Sequence, residues 1–131
     1  LVSISRGLRD LRSRLRDGER TALVPVAVAT PMALEETADL VAAVRSLEVA
    51  MPAVVVNQLV PGDEPGPLAE AVRRRETNAI ERWWPRLGGL GRFEIDRCAE
   101  PGGIERLTEL GRALVAAGTG SAAAADRRAA A

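Results

Sequence analysis

Two segments of the chain are rich in β-branched and other apolar residues, and each is followed by a stretch of helical periodicity. They are residues 22–29 (ALVPVAVA) and residues 53–60 (AVVVNQLV). Continuous apolar strands of this kind are buried on both faces and are typical of parallel sheets covered by helices. Because Pro25 cannot donate a ladder hydrogen bond, we expect the first strand to lie at a sheet edge or to be interrupted there.

Amphipathic helices are predicted before, between and after the strands. Apolar residues recur every three or four positions over residues 1–15, and Thr30 and Pro31 are a typical N-cap and first helical residue. Residues 68–84 and 104–117 repeat the helical period, and a weaker strand, residues 92–98, separates them. The order α-β-α-β-α-β-α predicts an α/β fold with a parallel sheet and right-handed crossovers. Three strands are few for a doubly wound domain, so we expect part of one.

The length of 131 residues suits one domain with a core. We expect this domain to span residues 1–118. The Ala-rich segment 119–131 has no apolar stripe, and we expect it to be disordered.

Composition excludes several kinds of chemistry. The chain has no His, and all 18 basic residues are Arg. It therefore contains no G-x-x-x-x-G-K-[ST] phosphate loop, and His catalysis, His metal ligation and Schiff-base formation are excluded. Cys98 is the only cysteine, which fits a reducing compartment, and we expect a cytoplasmic location. The formal net charge of zero argues against a broad nucleic-acid or membrane surface.

Ligands of open parallel sheets bind outside the carboxyl ends of the strands. Three loops lie on that edge: Thr30-Pro31, Asn57-Gln58 and residues 99–103. A carboxamide offers a donor beside an acceptor, which suits the edge of a nucleobase. Asn57 and Gln58 could instead cap backbone groups of the loop, and residues 99–103 could be an ordinary strand-to-helix connection. The residues alone leave both interpretations open.

Four other features have simpler interpretations as surface or core. These are a solvated acidic helix start, an arginine run on a solvated face, an aromatic pair at the rim of the core, and a thiol without a His or Lys partner. The residues are Glu35, Glu36, Asp39, Arg73 to Arg75, Trp83, Trp84 and Cys98.

Three segments in order, VAVATPMALEETADLV, VVVNQLVP and AEPGGIERLTELGRAL, resemble the C-terminal part of the ArsA-like ATPases. These are the arsenite-pump and tail-anchored-protein targeting ATPases. The resemblance runs from about Leu8 to Ala117. It implies a partial three-layer, P-loop NTPase-like (Rossmann-like) sheet, without the N-terminal half that carries the phosphate loop and the magnesium ligands.

The resemblance also implies a nucleotide site. The Asn of the V-N-Q strand contacts adenine in this family, and the loop after the last strand covers the other side of the base. Ile95, Asp96 and Arg97 stand where the family usually has Pro followed by apolar residues. The implied cofactor is ATP or ADP, with magnesium only when the N-terminal half is present. The implied cofactor-binding residues are Asn57, Gln58, Asp96, Arg97, Cys98, Ala99, Glu100 and Pro101.

The function that this resemblance implies is the adenine side of an ATP-binding site, in a chain that does not hydrolyse ATP by itself. No catalytic residue and no metal ligand is expected. The expected partners are the remainder of the ATPase domain or a partner chain, and a second copy in a homodimer; neither nucleic acid nor membrane insertion is expected. The alternative is a non-catalytic interaction module that packs on a partner polypeptide supplying the rest of the sheet.

Overall fold

The structure, a computed structural model, describes residues 2–97, 103–105, 107–112 and 114–115. Helix α1 is Val2–Arg16, strand β1 is Val26–Val28 and helix α2 is Pro31–Ser46. Strand β2 is Ala53–Leu59, helix α3 is Pro67–Trp83, a 3-10 turn spans Trp84–Leu87, and strand β3 is Gly91–Asp96. Residues 104–105, 107–112 and 114–115 are helical.

The three strands form one parallel sheet in the order β1-β2-β3. Val26 of β1 and Phe93 of β3 both lie in register with Val55 of the central strand. The α/β fold with a parallel sheet, predicted from the alternation of strands and helices, is confirmed.

Helices α2 and α3 cover the same face of this sheet. Val56 of β2 lies in one apolar cluster with Leu34 of α2 and Ile80 of α3. Val54, two positions earlier on the same face, packs with Val41 of α2. Both valines are fully buried, so the core lies between the central strand and the two helices.

Strand β1 differs from its prediction in length and in burial. It begins only after Pro25 and spans three residues rather than eight. Ala27 is buried, but Val26 and Val28 are 64% and 37% exposed. The expectation of burial on both faces is therefore wrong for β1. Its other face is left open by the residues that the structure describes.

Helices α1 and α3 both have apolar residues that are more exposed than the amphipathic pattern predicts. On α1, Leu8 and Leu11 are more than half exposed. On α3, Leu68, the first apolar residue of the segment predicted to be helical, is 78% exposed. The buried stripe of α3 contains Ala69, Ala79 and Ile80, and Leu68 points about 100° away from Ala69 around the helix.

At the end of α2, Leu47 is the C-cap residue and is 58% exposed. The N-cap prediction for α2 is confirmed, since Thr30 Oγ1 accepts the Ala33 N–H at 3.3 Å. Within the described part of the chain, no helix is long and apolar enough to cross a membrane. The predicted boundary at residue 118 and the predicted tail lie outside the described residues.

Candidate functional site

The carboxyl ends of the three strands form one edge, as the parallel arrangement requires. Val28 of β1 lies in register with Asn57, and Leu59 lies in register with Asp96. The backbone N–H of Arg97 donates to the Leu59 carbonyl at 2.7 Å, which joins β2 and β3 beyond the last paired residues. At this edge, Asn57 of β2 therefore lies on the strand next to Asp96 and to Arg97, the residue that follows β3.

A bulge interrupts β2 at the polar pair. The register between β2 and β3 shifts between Val56 and Leu59, and Gln58 has a φ of +65°. Asn57 Oδ1 accepts the Gln58 N–H at 2.9 Å. The prediction that Asn57 caps a backbone group is thus confirmed for this oxygen. Asn57 Nδ2 donates to no atom of the described residues, so its two N–H groups are available to a ligand.

The two carboxamides face different surroundings. Asn57 is half-buried, and strand alternation places it on the sheet face opposite to α2 and α3. Gln58 is exposed and lines a cleft of about 550 Å³ between the start of α2 and the outer face of α3. The polar residues that line this cleft with it are Thr30, Arg75, Glu76, Asn78 and Arg82. Asn57 and Gln58 therefore do not converge on one ligand position.

Asp96 lies in a second cleft, of about 320 Å³, between α3 and β3. Two arginines and four carboxylates line it, so its charge does not favour an anionic ligand. The charged residues are Arg73, Arg92, Glu76, Glu81, Glu94 and Asp96.

The loop after β2 is held by two side chains of α3, one of which belongs to the arginine run that we expected to be solvated. Arg73 Nη1 donates to the carbonyls of Pro61 and Glu64, both at 2.8 Å. Glu76 Oε2 accepts the Val60 N–H at 3.1 Å. The interpretation of the arginine run as a solvated face is wrong for Arg73. It holds for the next two arginines, which are exposed.

Sequence reasoning missed Arg73 and Glu76 as residues that shape this edge. Their spacing of three places both on one face of α3, and the loop before that helix is rich in Pro and Gly. Such a loop has few internal hydrogen bonds, so its backbone groups need side-chain partners. The unmet hydrogen bonds of the loop were therefore the sequence signal that could have identified Arg73 and Glu76 as its partners.

The remaining sequence candidates behave as surface and core. Glu35, Glu36 and Asp39 are exposed, and among the described residues no cluster of three or more acidic, His or Cys residues could hold a metal. Trp83 and Trp84 are half-buried at the edge of the apolar clusters, which confirms their interpretation as core and rim. The predicted site residues Cys98, Ala99, Glu100 and Pro101 lie outside the described residues.

Comparison with known proteins gives one family. The sequence matches the profile of the family described as "Anion-transporting ATPase" over residues 2–115. The matched region contains α1, the whole sheet and the segment that follows β3. A comparison with curated proteins gave no significant match.

Proposed function

Since the chain belongs to the anion-transporting ATPase (ArsA) family, we propose that it forms the adenine side of an ATP-binding site. Family membership confirms the resemblance found in the sequence. The observation that supports the proposal best is the position of Asn57. It is half-buried at the carboxyl end of the central strand, and its Nδ2 has no partner among the described residues.

The chemistry of Asn57 suits adenine. A carboxamide that donates to N7 and accepts from N6 reads the edge of this base. Asn57 Oδ1 already accepts one hydrogen bond, from Gln58, but a carbonyl oxygen has two acceptor positions. The residue can therefore hold the bulge and bind the base at the same time.

The second wall of the site is proposed from the family resemblance. It consists of Asp96 and Arg97, followed by residues 98–101. The Arg97 N–H is already bonded to Leu59, so Arg97 would contact the base through its remaining backbone atoms or its side chain. Gln58 is a neighbour of the site, and its side chain lines the cleft beside α3.

The phosphates and magnesium need other residues. These 131 residues include no Lys for a phosphate loop, and the described ones provide no metal cluster. The groups present thus fit the base and not the triphosphate. When bound, magnesium would neutralise phosphate charge through residues of the N-terminal half of the domain. We propose that the 131-residue chain alone does not hydrolyse ATP, and turnover by the pure protein would contradict this.

A calorimetric titration with ATP tests the site. We expect weak binding by the wild-type chain and a clear loss of affinity in Asn57→Ala. Equal affinity in the variant would remove Asn57 from the site.

The alternative function is an interaction module, which the exposed apolar residues favour. Val26 and Val28 lie on β1, whose outer edge pairs with no strand among the described residues. Leu8 and Leu11 of α1 are exposed as well. A partner polypeptide would add strands to this edge and cover these side chains. A G-K-[ST] loop encoded upstream in the same reading frame would favour the ATPase, and its absence would favour the module.

Two further proposals follow from the family. The protein acts in the cytoplasm, and it assembles as a homodimer. Light scattering during size-exclusion chromatography tests the second, and a monomer at every concentration would contradict it.

A further inference from the structure

We propose that Glu64 is a positioning residue of the nucleotide site, which holds Arg97 against the carboxyl end of β2. The inference rests on the proposed function. It goes beyond the family resemblance, because Arg97 stands where the family usually has an apolar residue.

Arg97 is fixed at two points. Its backbone N–H donates to the Leu59 carbonyl at 2.7 Å. Its guanidinium forms a bidentate ion pair with the Glu64 carboxylate, in which Nη2 donates to Oε1 at 2.5 Å and Nε donates to Oε2 at 3.3 Å. A bidentate pair of this kind restricts the direction of the side chain as well as its distance.

Glu64 is fixed at two points as well. Its carbonyl accepts from Arg73 Nη1 at 2.8 Å, and its N–H donates to the Pro61 carbonyl at 3.2 Å. The same Arg73 nitrogen also donates to the Pro61 carbonyl. Its carboxylate is therefore presented from a loop that α3 already holds. Together with the Glu76 bond to the Val60 N–H, these contacts close a ring that runs from Leu59 through the loop to Glu64 and back through Arg97.

An isolated surface ion pair would contribute little, because water screens it and two long side chains must be ordered. The side chains of Glu64 and Arg97 are 37% and 48% exposed, so screening applies here. The ring of contacts lowers the entropic cost of ordering the Glu64 and Arg97 side chains, since the backbone of both residues is already held by hydrogen bonds. The effect that we expect is on geometry at the site more than on global stability.

Arg97 is bonded to Leu59, and Asn57 lies two residues before Leu59 on β2. The position of Arg97 therefore sets the distance between Asn57 and the end of β3. A planar base that contacts both strand ends binds more tightly when the separation of these ends is already fixed, because less ordering is required on binding. Without the Glu64 carboxylate, the Leu59 carbonyl is the one remaining described contact that anchors Arg97. The ends of β2 and β3 would then separate more often, and the affinity for ATP would fall.

The test uses ATP titration of the 131-residue chain and of three variants. We expect the dissociation constant to rise about two- to fivefold in Glu64→Gln, the range for losing a partly exposed ion pair. Glu64→Asp, which keeps a carboxylate on a shorter side chain and leaves Arg97 intact, should lose clearly less affinity than Glu64→Gln, which a merely structural role of the Glu64 side chain would not predict. Glu35→Gln, which removes an exposed carboxylate of α2, should bind as the wild type does.

A second readout follows the Arg97 amide without nucleotide. Its hydrogen exchange should be slow in the wild type, fastest in Glu64→Gln and between the two in Glu64→Asp. If Glu64→Gln binds ATP normally while Asn57→Ala does not, this inference is overturned and the proposed function stands. If the wild type binds no ATP, the proposed function is overturned and this inference with it.

Discussion

The side-chain oxygen of Asn57 accepts the backbone N–H of Gln58 at 2.9 Å. Asn57 therefore supports the bulge of β2 in addition to its proposed contact with adenine. The two roles share Oδ1, but only the base needs Nδ2, since the bulge uses Oδ1 alone. A substitution that keeps one atom and removes the other separates them.

Asn57→Asp is that substitution. The carboxylate still accepts from Gln58, so we expect the free energy of unfolding to change by less than about 1 kcal/mol. The donor is lost, so adenosine should bind at least about fivefold more weakly. Adenosine is the ligand because it has no phosphate to repel the new charge. Urea unfolding and an NMR titration measure the two effects, and Asn78→Asp on α3 is the matched control. Unchanged adenosine affinity would show that Asn57 only supports the bulge.

Gln58 has a left-handed backbone conformation, with φ at +65°. Such a conformation costs a residue with a Cβ about 1–2 kcal/mol, and glycine adopts it freely. We expect Gln58→Gly to be as stable as the wild type or more stable by up to about 1 kcal/mol. Gln58→Val should be clearly less stable, because β-branched residues tolerate this region worst. Chemical denaturation ranks the three proteins. A more stable valine variant would mean that residue 58 is an ordinary strand position.

Gly88 is constrained by its neighbour as well as by its φ of +63°. Arg45 Nη2 donates to the carbonyls of Leu87 and Gly88, both at 3.0 Å, and a Cβ on Gly88 would lie 2.8 Å from that guanidinium. Gly88→Ala should therefore cost about 1 kcal/mol more than Gly89→Ala, since the added methyl displaces the arginine. At Gly89, φ is also positive but a Cβ would meet nothing within 4 Å.

The double-mutant cycle completes that experiment. In an Arg45→Ala background the two alanine substitutions should cost nearly the same, because the displaced group is gone. Thermal unfolding measures all the variants. A difference that persists without Arg45 would place the cause elsewhere.

Glu76 accepts the N–H of Val60, a residue that is 5% exposed. Glu76→Ala leaves this donor without its partner and should lower the free energy of unfolding by about 1–2 kcal/mol. Glu76→Gln keeps an acceptor oxygen and should cost clearly less. Arg74→Ala, an exposed substitution on the same helix, should cost less than about 0.5 kcal/mol. Equal stability of the alanine and glutamine variants would mean that the bond to Val60 contributes nothing.

The sequence predicted the parallel sheet and its helices well because periodicity is local. Thr30 and Pro31 identified the start of α2 to the residue, and the apolar run at 53–60 identified the central strand almost to its end. Burial was predicted less well, since it depends on what covers a residue. The same apolar pattern produced a buried Ala27 and an exposed Val26.

At the candidate site too, local features were predicted from the sequence and features that depend on distant residues were not. The polar end of β2 was visible as a candidate, but the bulge that turns Gln58 toward α3 was not, because a positive φ at glutamine has no sequence signal. The pair of Glu64 and Arg97 joins residues 33 positions apart, and no local pattern predicts which loop carboxylate an arginine will reach. The proposed role of Asn57 rests on the family resemblance more than on spacing.

We propose above that adenine binds at the carboxyl edge beside Asn57. The most direct measurement is a 15N NMR titration of the labelled chain with ATP. We predict that the Asn57 side-chain amide and the Arg97 backbone amide shift together with one dissociation constant, while Ala53 and Gly91 at the opposite edge do not. An unchanged Asn57 amide at saturating ATP, or shifts confined to the cleft around Gln58 and Arg75, would contradict it.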